Sequence, residues 1–383
     1  MQRGLIALAI GTFALGIAEF GMMGILSDVT RSVNVSVVDG GHLISAYSLG
    51  VAIGAPMLIF LRKIPLKRLL LLLAVIITAG NTMAALSTGF PMLLCARFLS
   101  GLPHGAFFGA GAIVCSRLAS PGHGAQAVAV MVGGMTVANV AGVPAATLIS
   151  NLFNWRIAFA MVALFGGLAL VGIRAWIPRL EPLPDSGMKG QFRFLRSAAP
   201  WLIYAGVFFG QASVYCWFSY VDPIMTKVTG FTGSAMTWVM MLAGIGMVTG
   251  NAIAGKLADR FGVARVCGTL AASMLAVMPM LYLFADVKIA SLALMFLATG
   301  ALFGIGGPLQ YLIVRFAKGG EMLGGAGIQI AFNVSNAVSA ALGGMAIHHG
   351  FGLASPALVG VPFAAVGAAA LFILRSKYKT QGA

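Results

Sequence analysis

The sequence has little charge for its length. Only 9% of its 383 residues are Asp, Glu, Lys or Arg, and just nine residues are acidic. Soluble domains carry about 25% charged residues, so this composition excludes an ordinary soluble protein. Hydrophobic residues make up 60% of the chain, and its mean hydropathy is +0.97. The composition therefore indicates a membrane protein that crosses the bilayer several times.

Cysteine is also scarce, and its distribution excludes further classes. The four cysteines lie in or at the ends of apolar segments without metal-ligand spacing, which predicts packing roles and no disulfide framework. The sequence has neither a His-Glu-x-x-His spacing nor a Gly-x-Ser-x-Gly motif, so it offers no site typical of a membrane-embedded enzyme. We expect no catalytic residue, no cofactor and no metal; His348 and His349 form a weak metal candidate at the outer face.

Apolar runs of bilayer length dominate what the sequence does contain. A helix needs about 20 apolar residues to cross the hydrocarbon core of a membrane. The first such run contains Glu19 and is too long for a cleaved signal, so it is predicted to be a retained span. The expected fold is all-α, with twelve transmembrane helices in two pseudo-symmetric six-helix bundles. The predicted spans are 5–26, 40–61, 68–88, 91–117, 124–149, 156–178, 200–221, 233–255, 263–285, 289–313, 322–348 and 354–375.

The basic residues predict the orientation. With the N-terminus inside, most of the 24 Lys and Arg residues fall in the inner loops, which is the positive-inside pattern. The net charge of +15 is therefore expected to face the membrane surface and not nucleic acid. We expect a monomeric, multi-pass protein of a bacterial inner membrane with both termini in the cytoplasm.

A long polar segment, residues 179–199, divides the chain. It separates a predicted six-helix bundle over residues 1–178 from a second one over residues 200–383. The two halves repeat with an offset of about 197 residues, so that Asn139 corresponds to Asn336. Repeats of this kind are typical of transporters whose substrate site lies between the halves, near the middle of the membrane.

Glu19 is the most informative single residue. A charge at the centre of a membrane costs about 2.5–3.5 kcal/mol on insertion scales, so such a residue faces protein or water and marks a functional site. Arg97 is predicted to lie at a similar depth, about 10 Å below the outer surface. We expect the two to pair, or to separate as the protein moves, and so to couple a proton to transport. A permanent structural salt bridge is the alternative.

Polar side chains on two later spans predict a substrate cavity. Gln329, Asn333 and Asn336 share one face of the eleventh span, while Gln211 and Tyr215 share one face of the seventh. Amides bind hydroxyl groups and aromatic rings stack on sugar faces, so this set suits a neutral polyol or a planar heterocycle. The predicted substrate-binding residues are Asn139, Gln211, Tyr215, Trp217, Gln329, Asn333, Asn336 and His104. The alternative is hydrogen bonding between helices, worth about 0.6 kcal/mol for each residue.

Two motifs resemble those of the major facilitator superfamily. Residues 255–262, Gly-Lys-Leu-Ala-Asp-Arg-Phe-Gly, are similar to its inter-helix loop motif, and residues 97–105, Arg-Phe-Leu-Ser-Gly-Leu-Pro-His-Gly, to its Arg-and-glycine motif. The first-half copy of the loop motif is degenerate, with Arg62 in place of the Asp and Pro65 in place of a Gly. The exporter motif of the fifth span is matched loosely, by Gly134, Gly142 and Pro144.

Over its whole length the sequence is similar to the arabinose-inducible branch of the superfamily's sugar and drug exporters. The resemblance rests on residues 16–21, 101–109, 199–203 and 327–333. It implies a proton-driven permease that exports sugars or related small molecules by alternating access, with a cytoplasmic gate formed by Gly255, Asp259, Arg260, Gly262 and Arg315. A proton-coupled importer, a multidrug exporter and a non-transporting receptor remain open as alternatives. A proton entering down a potential of 100 mV releases about 2.3 kcal/mol, which is enough to drive a useful gradient.

Overall fold

The computed structural model describes residues 2–61, 64–119, 124–180, 192–317 and 320–378. Within these ranges the chain is all-α and has no strand, and twelve segments are long and apolar enough to cross a membrane. The predicted fold class is therefore confirmed. Arg62 of the degenerate motif and residues 181–191 of the predicted linker lie outside the described residues, and the predicted domain boundaries remain a prediction.

Six of the spans come before the linker and six after it. The first six comprise α1 (Gln2–Gly24), α2 (Leu26–Ser32), α3 (Val37–Phe60), α4 (Leu66–Ala85), α5 (Phe90–Gly101), α6 (Pro103–Leu118), α7 (Gly124–Val137), α8 (Val143–Leu152) and α9 (Trp155–Trp176). The second six comprise α10 (Ala198–Phe218), α11 (Val221–Lys227), α12 (Met236–Phe261), α13 (Val263–Leu283), α14 (Lys288–Phe316), α15 (Glu321–His348) and α16 (Pro356–Tyr378).

Four predicted spans are interrupted, which the hydropathy pattern did not indicate. The fourth span breaks between α5 and α6 at Leu102, directly before Pro103. The fifth passes through a π-helical turn, Ala138–Gly142, just before Pro144. Proline has no backbone N–H and its ring clashes with the preceding turn, so both interruptions have a local cause. The first and seventh spans break near their predicted outer ends, at Ile25 and at residues 219–220.

The helices of the two halves pack in the same pattern. In the first half α1 packs on α7 and α9, α3 on α5, and α4 on α9. Their counterparts repeat these pairs, with α10 on α15 and α16, α12 on α14, and α13 on α16. Between the halves, α3 packs on α15, and α8 with the π-helical turn packs on α12. The first, second, fifth, seventh, eighth and eleventh spans therefore surround the space between the halves.

Hydrogen bonds join the two halves at the predicted outer side. Among the described residues, the Ser45 hydroxyl donates to the Ala337 carbonyl (2.9 Å) and the Asn151 amide donates to the Gly233 carbonyl (2.6 Å). The backbone N–H of Ser27, in α2, donates to the buried carboxylate of Asp222, in α11 (2.6 Å). The interrupted tips of the first and seventh spans are thus tied together, and the interface between the halves is closed on that side.

Candidate functional site

Glu19 lies in the buried middle of the site and lacks a hydrogen-bond partner. Its side chain is fully enclosed near the outer end of α1, and neither carboxylate oxygen accepts a hydrogen bond from any described residue. The His104 ring lies close to it, with Nε2 at 3.9 Å from Oε2. A buried carboxyl group without donors is costly to keep charged, so this position favours the bound proton.

Arg97 lies beside Glu19 but does not pair with it. Its guanidinium donates to the carbonyl of Ala18 (2.6 Å) and to that of Leu43 (3.3 Å), and it lies over the Tyr47 ring at 4.4 Å. The similar depth of Glu19 and Arg97 is as expected, since Ala18 is the neighbour of Glu19. The expected ion pair is absent among the described residues, because backbone carbonyls and an aromatic face already hold the guanidinium. Arg97 instead ties α5 to α1 and α3.

His104 belongs to the Glu19 side of the site, although it was predicted as a substrate residue. Its Nδ1 is hydrogen-bonded to the Tyr47 hydroxyl (2.9 Å), and its ring stacks on Phe108 at 5.2 Å. The same hydroxyl donates to the Leu15 carbonyl (3.3 Å). Sequence reasoning missed Tyr47, which contacts both His104 and Arg97. A tyrosine inside an otherwise apolar span was the signal that could have found it.

Close helix packing explains why these side chains meet. A Cβ atom on Gly101 would collide with the Tyr47 carbonyl, and one on Gly105 would lie 2.7 Å from the Ala55 methyl group. Glycine at both positions lets α3 approach the fourth span closely, as in other membrane helix pairs with small residues. These two glycines therefore hold Tyr47 against Arg97 and His104.

Two buried amides present oxygen acceptors without donors. The Gln211 amide nitrogen donates to the Leu302 carbonyl (3.0 Å), and the Asn333 amide nitrogen donates to the Gln329 carbonyl (3.0 Å). Because a carbonyl only accepts, these bonds fix which end of each amide is the NH₂ group. Gln211 Oε1 and Asn333 Oδ1 are both buried and unpartnered among the described residues. Each needs a donor from water or a ligand.

The two asparagines related by the repeat are also unsatisfied. Asn336 is buried in α15, and neither its Oδ1 nor its Nδ2 has a partner within the described chain. Asn139 is buried in the π-helical turn with an unpartnered Oδ1, and its backbone carbonyl contacts Gly244 of α12 across the interface. π-Helical turns often occur at functional sites, and this one places Asn139 at the contact between the halves.

Tyr215 connects the amide set to Glu19, whereas Trp217 does not. The Tyr215 hydroxyl is buried and unpartnered within the described chain, and the Tyr215 ring meets that of Phe332 edge-on at 5.5 Å. Across the interface, the Glu19 carboxyl group lies close enough to Tyr215 to interact with its hydroxyl electrostatically. Trp217 is buried too. It follows Tyr215 by two residues on α10, so its side chain lies about 200° around the helix axis from that of Tyr215. It therefore faces away from Tyr215. Gln329, which is half-buried, lies one turn before Asn333 on α15.

The predicted cytoplasmic gate residues lie apart from this site. Gly262 has a φ of 90° and makes the sharp turn between α12 and α13, a conformation that favours glycine. Gly255 has open space where a Cβ would lie, so the expected close packing is absent there. Asp259, Arg260 and Arg315 are exposed, and in the described part of the chain no ion pair involves Asp259. Their gate role stays a prediction.

Metal binding has no geometric support in the described ranges. No cluster of three or more His, Cys, Asp or Glu side chains there could hold an ion. His348 and His349 are exposed with their rings 5.7 Å apart, and His349 Nδ1 contacts its own helix at the Met345 carbonyl (2.8 Å).

Comparison with known proteins identifies the family. The model of the Major Facilitator Superfamily matches residues 8–309. The chain belongs to this superfamily. It is accordingly a membrane transporter of small molecules and not an enzyme.

Relatives of this transporter match it from end to end. The protein AraJ of Escherichia coli (strain K12) is 43% identical over 387 residues, covering 100% of this chain and 97% of AraJ. The inner membrane transport protein YdhP of the same strain is 33% identical over 98% of this chain and 96% of YdhP. A chloramphenicol resistance protein of Streptomyces lividans is 28% identical over 93% of this chain and 92% of that protein.

Solved structures share the fold of this transporter at low sequence identity. A bacterial homologue of the human lysosomal transporter Spinster, in an inward-facing and unoccupied conformation, superposes with a TM-score of 0.76 at 16% identity. The match covers 100% of this chain and 98% of the homologue. A D-xylose–proton symporter gives a TM-score of 0.75 at 15% identity, covering 97% and 96% of the two chains.

Proposed function

We propose that this transporter is a proton-coupled exporter of sugars or related hydroxyl-rich small molecules. The observation that carries the proposal is the unpartnered buried polar set between the halves, in which a proton site and a row of hydrogen-bond acceptors lie together. Glu19 would carry the proton, and the amides of α10 and α15 would bind the substrate.

The proton site is supported by the isolation of Glu19 from its basic neighbour. Nη1 and Nε of Arg97 donate to the carbonyls of Ala18 and Leu43, and none of its nitrogens, including the unpartnered Nη2, bonds to the carboxylate among the described residues. A carboxyl group in this position gains a proton when it is sealed from water and releases it when water reaches it. Phe20, the next residue, packs against Phe303 of the second half at 5.7 Å, so this part of α1 borders the moving interface.

The substrate class follows from the hydrogen bonds that are missing. Gln211 Oε1, Asn333 Oδ1 and Asn336 Oδ1 all need donors, whereas Asn336 Nδ2 and the Tyr215 hydroxyl add donors. A molecule with several hydroxyl groups can satisfy both kinds of atom, since each hydroxyl donates once and accepts as well. The aromatic rings of Tyr215 and Phe332 supply an apolar wall. A saturated hydrocarbon would leave all of these atoms unpaired.

The export direction draws on the relatives and on the exporter-like motif. The Streptomyces lividans relative is named for resistance to chloramphenicol, a phenotype that export of a toxic compound produces. Gly142 is the last residue of the π-helical turn that contacts the second half, and Pro144 follows two residues later. Transport measured in inverted vesicles against right-side-out vesicles separates export from import.

The direct test uses proteoliposomes with an imposed pH gradient. The substrate is first sought by thermal shift against pentoses, their oligomers, purines, chloramphenicol and lipophilic cations, and the most stabilising compound is used for transport. We expect Glu19→Gln to abolish accumulation driven by the gradient, while Asp286→Asn, which neutralises an exposed loop carboxylate, leaves it intact. Undiminished accumulation in Glu19→Gln would overturn the proton-carrier role. A screen in which lipophilic cations stabilise the protein and sugars do not would favour a multidrug exporter instead.

A further inference from the structure

Only one of the two ring nitrogens of His104 has a hydrogen bond within the described chain. Nδ1 is held by the Tyr47 hydroxyl at 2.9 Å, whereas Nε2 has no hydrogen bond within the described chain and faces Glu19 Oε2 at 3.9 Å. A histidine with a purely structural role in a membrane interior would be expected to satisfy both nitrogens. Here one nitrogen is fixed and the other is presented to the carboxyl group.

Tyr47 determines which ring nitrogen can take part. Its single hydroxyl hydrogen has two possible acceptors, the Leu15 carbonyl at 3.3 Å and His104 Nδ1 at 2.9 Å. When the hydroxyl donates to Leu15, its oxygen accepts from Nδ1–H, and Nε2 is then a bare acceptor. When it donates to Nδ1, the hydrogen of the neutral ring sits on Nε2 and points towards Glu19. In both arrangements Nε2 is the nitrogen that faces the carboxyl group.

We propose that His104 accepts the proton of Glu19, so that the two side chains together carry it, with Tyr47 as the positioning residue. The proposal rests on the proposed function, because it assumes that Glu19 is the proton carrier. The step starts from the arrangement in which the Tyr47 hydroxyl donates to Leu15 and the ring hydrogen sits on Nδ1, because only then does Nε2 carry a free lone pair. The Glu19 O–H bond breaks and leaves its electron pair on the carboxylate, while the Nε2 lone pair forms the new N–H bond. The products are a carboxylate and an imidazolium, and no other reactant is needed.

The surroundings suit a proton that moves over a short distance. Oε2 and Nε2 must approach by about 1 Å to reach hydrogen-bond distance, a movement that a side-chain rotation supplies. The titratable and charged groups that face the pair are Arg97 from α5, Tyr47 from α3 and Tyr215 from α10. Arg97 stays cationic, so it favours the carboxylate that the transfer creates. Tyr215 comes from the second half, which makes the pair sensitive to movement between the halves.

The test is the ¹⁵N NMR spectrum of the full-length protein with labelled histidines, recorded in micelles from pH 5 to pH 9. The chain has five histidines, and the His104 signals are assigned by their loss in His104→Gln. We expect the protonation midpoint or tautomer of His104 to change in Glu19→Gln, by about tenfold in proton affinity, and Tyr47→Phe to alter the tautomer ratio. The exposed His348 should behave the same in every variant and is the internal control.

Identical His104 signals in the wild type and in Glu19→Gln over the whole range would overturn the proposal. Glu19→Asp, which keeps the acid but withdraws it by one methylene group, is the second variant and should give an intermediate change if Glu19→Gln does not fold. The outcome is separable from that of the proposed function. Loss of gradient-driven transport in Glu19→Gln with an unchanged His104 spectrum removes only the role of His104, whereas transport that survives removes the proton-carrier role of Glu19.

Discussion

At the scale of the residue, Arg97 shows how this protein keeps a charge inside the membrane without an ion pair. Two backbone carbonyls and an aromatic ring replace the carboxylate that the sequence suggested. Because the guanidinium is planar and has several donors, it can reach both carbonyls at once. The arginine therefore joins three helices and leaves the Glu19 carboxyl group without an ion pair among the described residues.

Replacing Arg97 by lysine tests this structural role. An ammonium group on a flexible stem cannot serve the Ala18 and Leu43 carbonyls together, so Arg97→Lys should lose about 2 kcal/mol of stability. The expected result is an apparent unfolding temperature lower by several degrees in detergent. Arg174→Lys, at an exposed position on α9, is the matched control and should unfold with the wild type. Equal unfolding temperatures for both variants would show that the carbonyl contacts contribute little.

Asn336 gives a second prediction at the residue scale, in which one substitution weakens ligand binding without lowering the stability of the protein. Its amide makes no hydrogen bond within the described chain, so Asn336→Leu removes no existing bond and should leave the unfolding temperature unchanged or raise it. The same change should weaken binding of the most stabilising compound from the thermal-shift panel by about tenfold or more.

The matched control for Asn336 is Asn81→Leu. Asn81 is equally buried and its Oδ1 is also unpartnered within the described chain, but it lies in α4, which packs on helices of the first half, and its amide nitrogen donates to the Ile77 carbonyl (2.8 Å). We expect that variant to be less stable and to bind the compound normally. Unchanged affinity in Asn336→Leu would remove Asn336 from the substrate site.

At the scale of the element, the interrupted spans contribute more than the continuous ones to the interface between the halves. The π-helical turn at Ala138–Gly142 carries Asn139 to the interface, and α1 and α10 each end where a short second helix begins. Membrane helices tolerate such irregular backbone where it is buried in protein or lines a cavity. Three of the four interrupted spans, the first, fifth and seventh, are thus among those that surround the space between the halves.

Pro144 is the residue whose replacement tests the π-helical turn. Pro144→Ala restores a backbone N–H and should allow α7 and α8 to join as a regular helix, which rotates Asn139 away from its present direction. We expect higher thermal stability together with reduced transport. Pro362→Ala, within α16 and away from the candidate site, is the control that should alter transport little. Stability that rises without any loss of transport would show that the turn has no functional part.

Hydropathy alone was sufficient to predict the number of spans, because a run of about twenty apolar residues is rarely anything other than a transmembrane helix. It could not predict the breaks at Ile25 and Ser219, since short interruptions barely change the average over a window. The depth of Glu19 and Arg97 followed from helix rise, but their separation did not, because it depends on carbonyls of α1 and α3. Trp217 lies on a different face of its helix from Tyr215, and its buried indole nitrogen has no partner within the described chain, so its place in the substrate site stays a prediction.

At the scale of the whole molecule, the hydrogen bonds between the halves lie on the predicted outer side. Alternating access requires these bonds to break and others to form at the opposite end. Asp259 and Arg315, which are exposed in this arrangement, are suitably placed on the cytoplasmic side to form such contacts in the other state. Under the proposed function, a substrate would thus reach the site from the predicted cytoplasmic side in this state.

A cross-link across the closed side tests whether this movement is needed. In a variant without native cysteines, Ser45→Cys combined with Ala337→Cys introduces one thiol on each half, at two residues whose contact in the wild type runs from the Ser45 hydroxyl to the Ala337 backbone carbonyl (2.9 Å). A short bifunctional thiol reagent should join them and stop transport of the thermal-shift compound, with recovery when a cleavable reagent is reduced. The single variant Ser45→Cys should be unaffected by the reagent. Transport that continues at full rate in the cross-linked protein would contradict rocking of the halves at this position.

The joint between Ser27 and Asp222 has a consequence for leakage. It connects two short helices, α2 and α11, each of which is separated from the long helix of its span by a helix interruption. The short helices can therefore move while the long helices stay in place. A transporter with such movable short helices can have both sides of its central site closed at once, before either side opens. In the proposed proton-coupled transport, such an occluded intermediate would prevent protons from crossing the membrane when no substrate is bound.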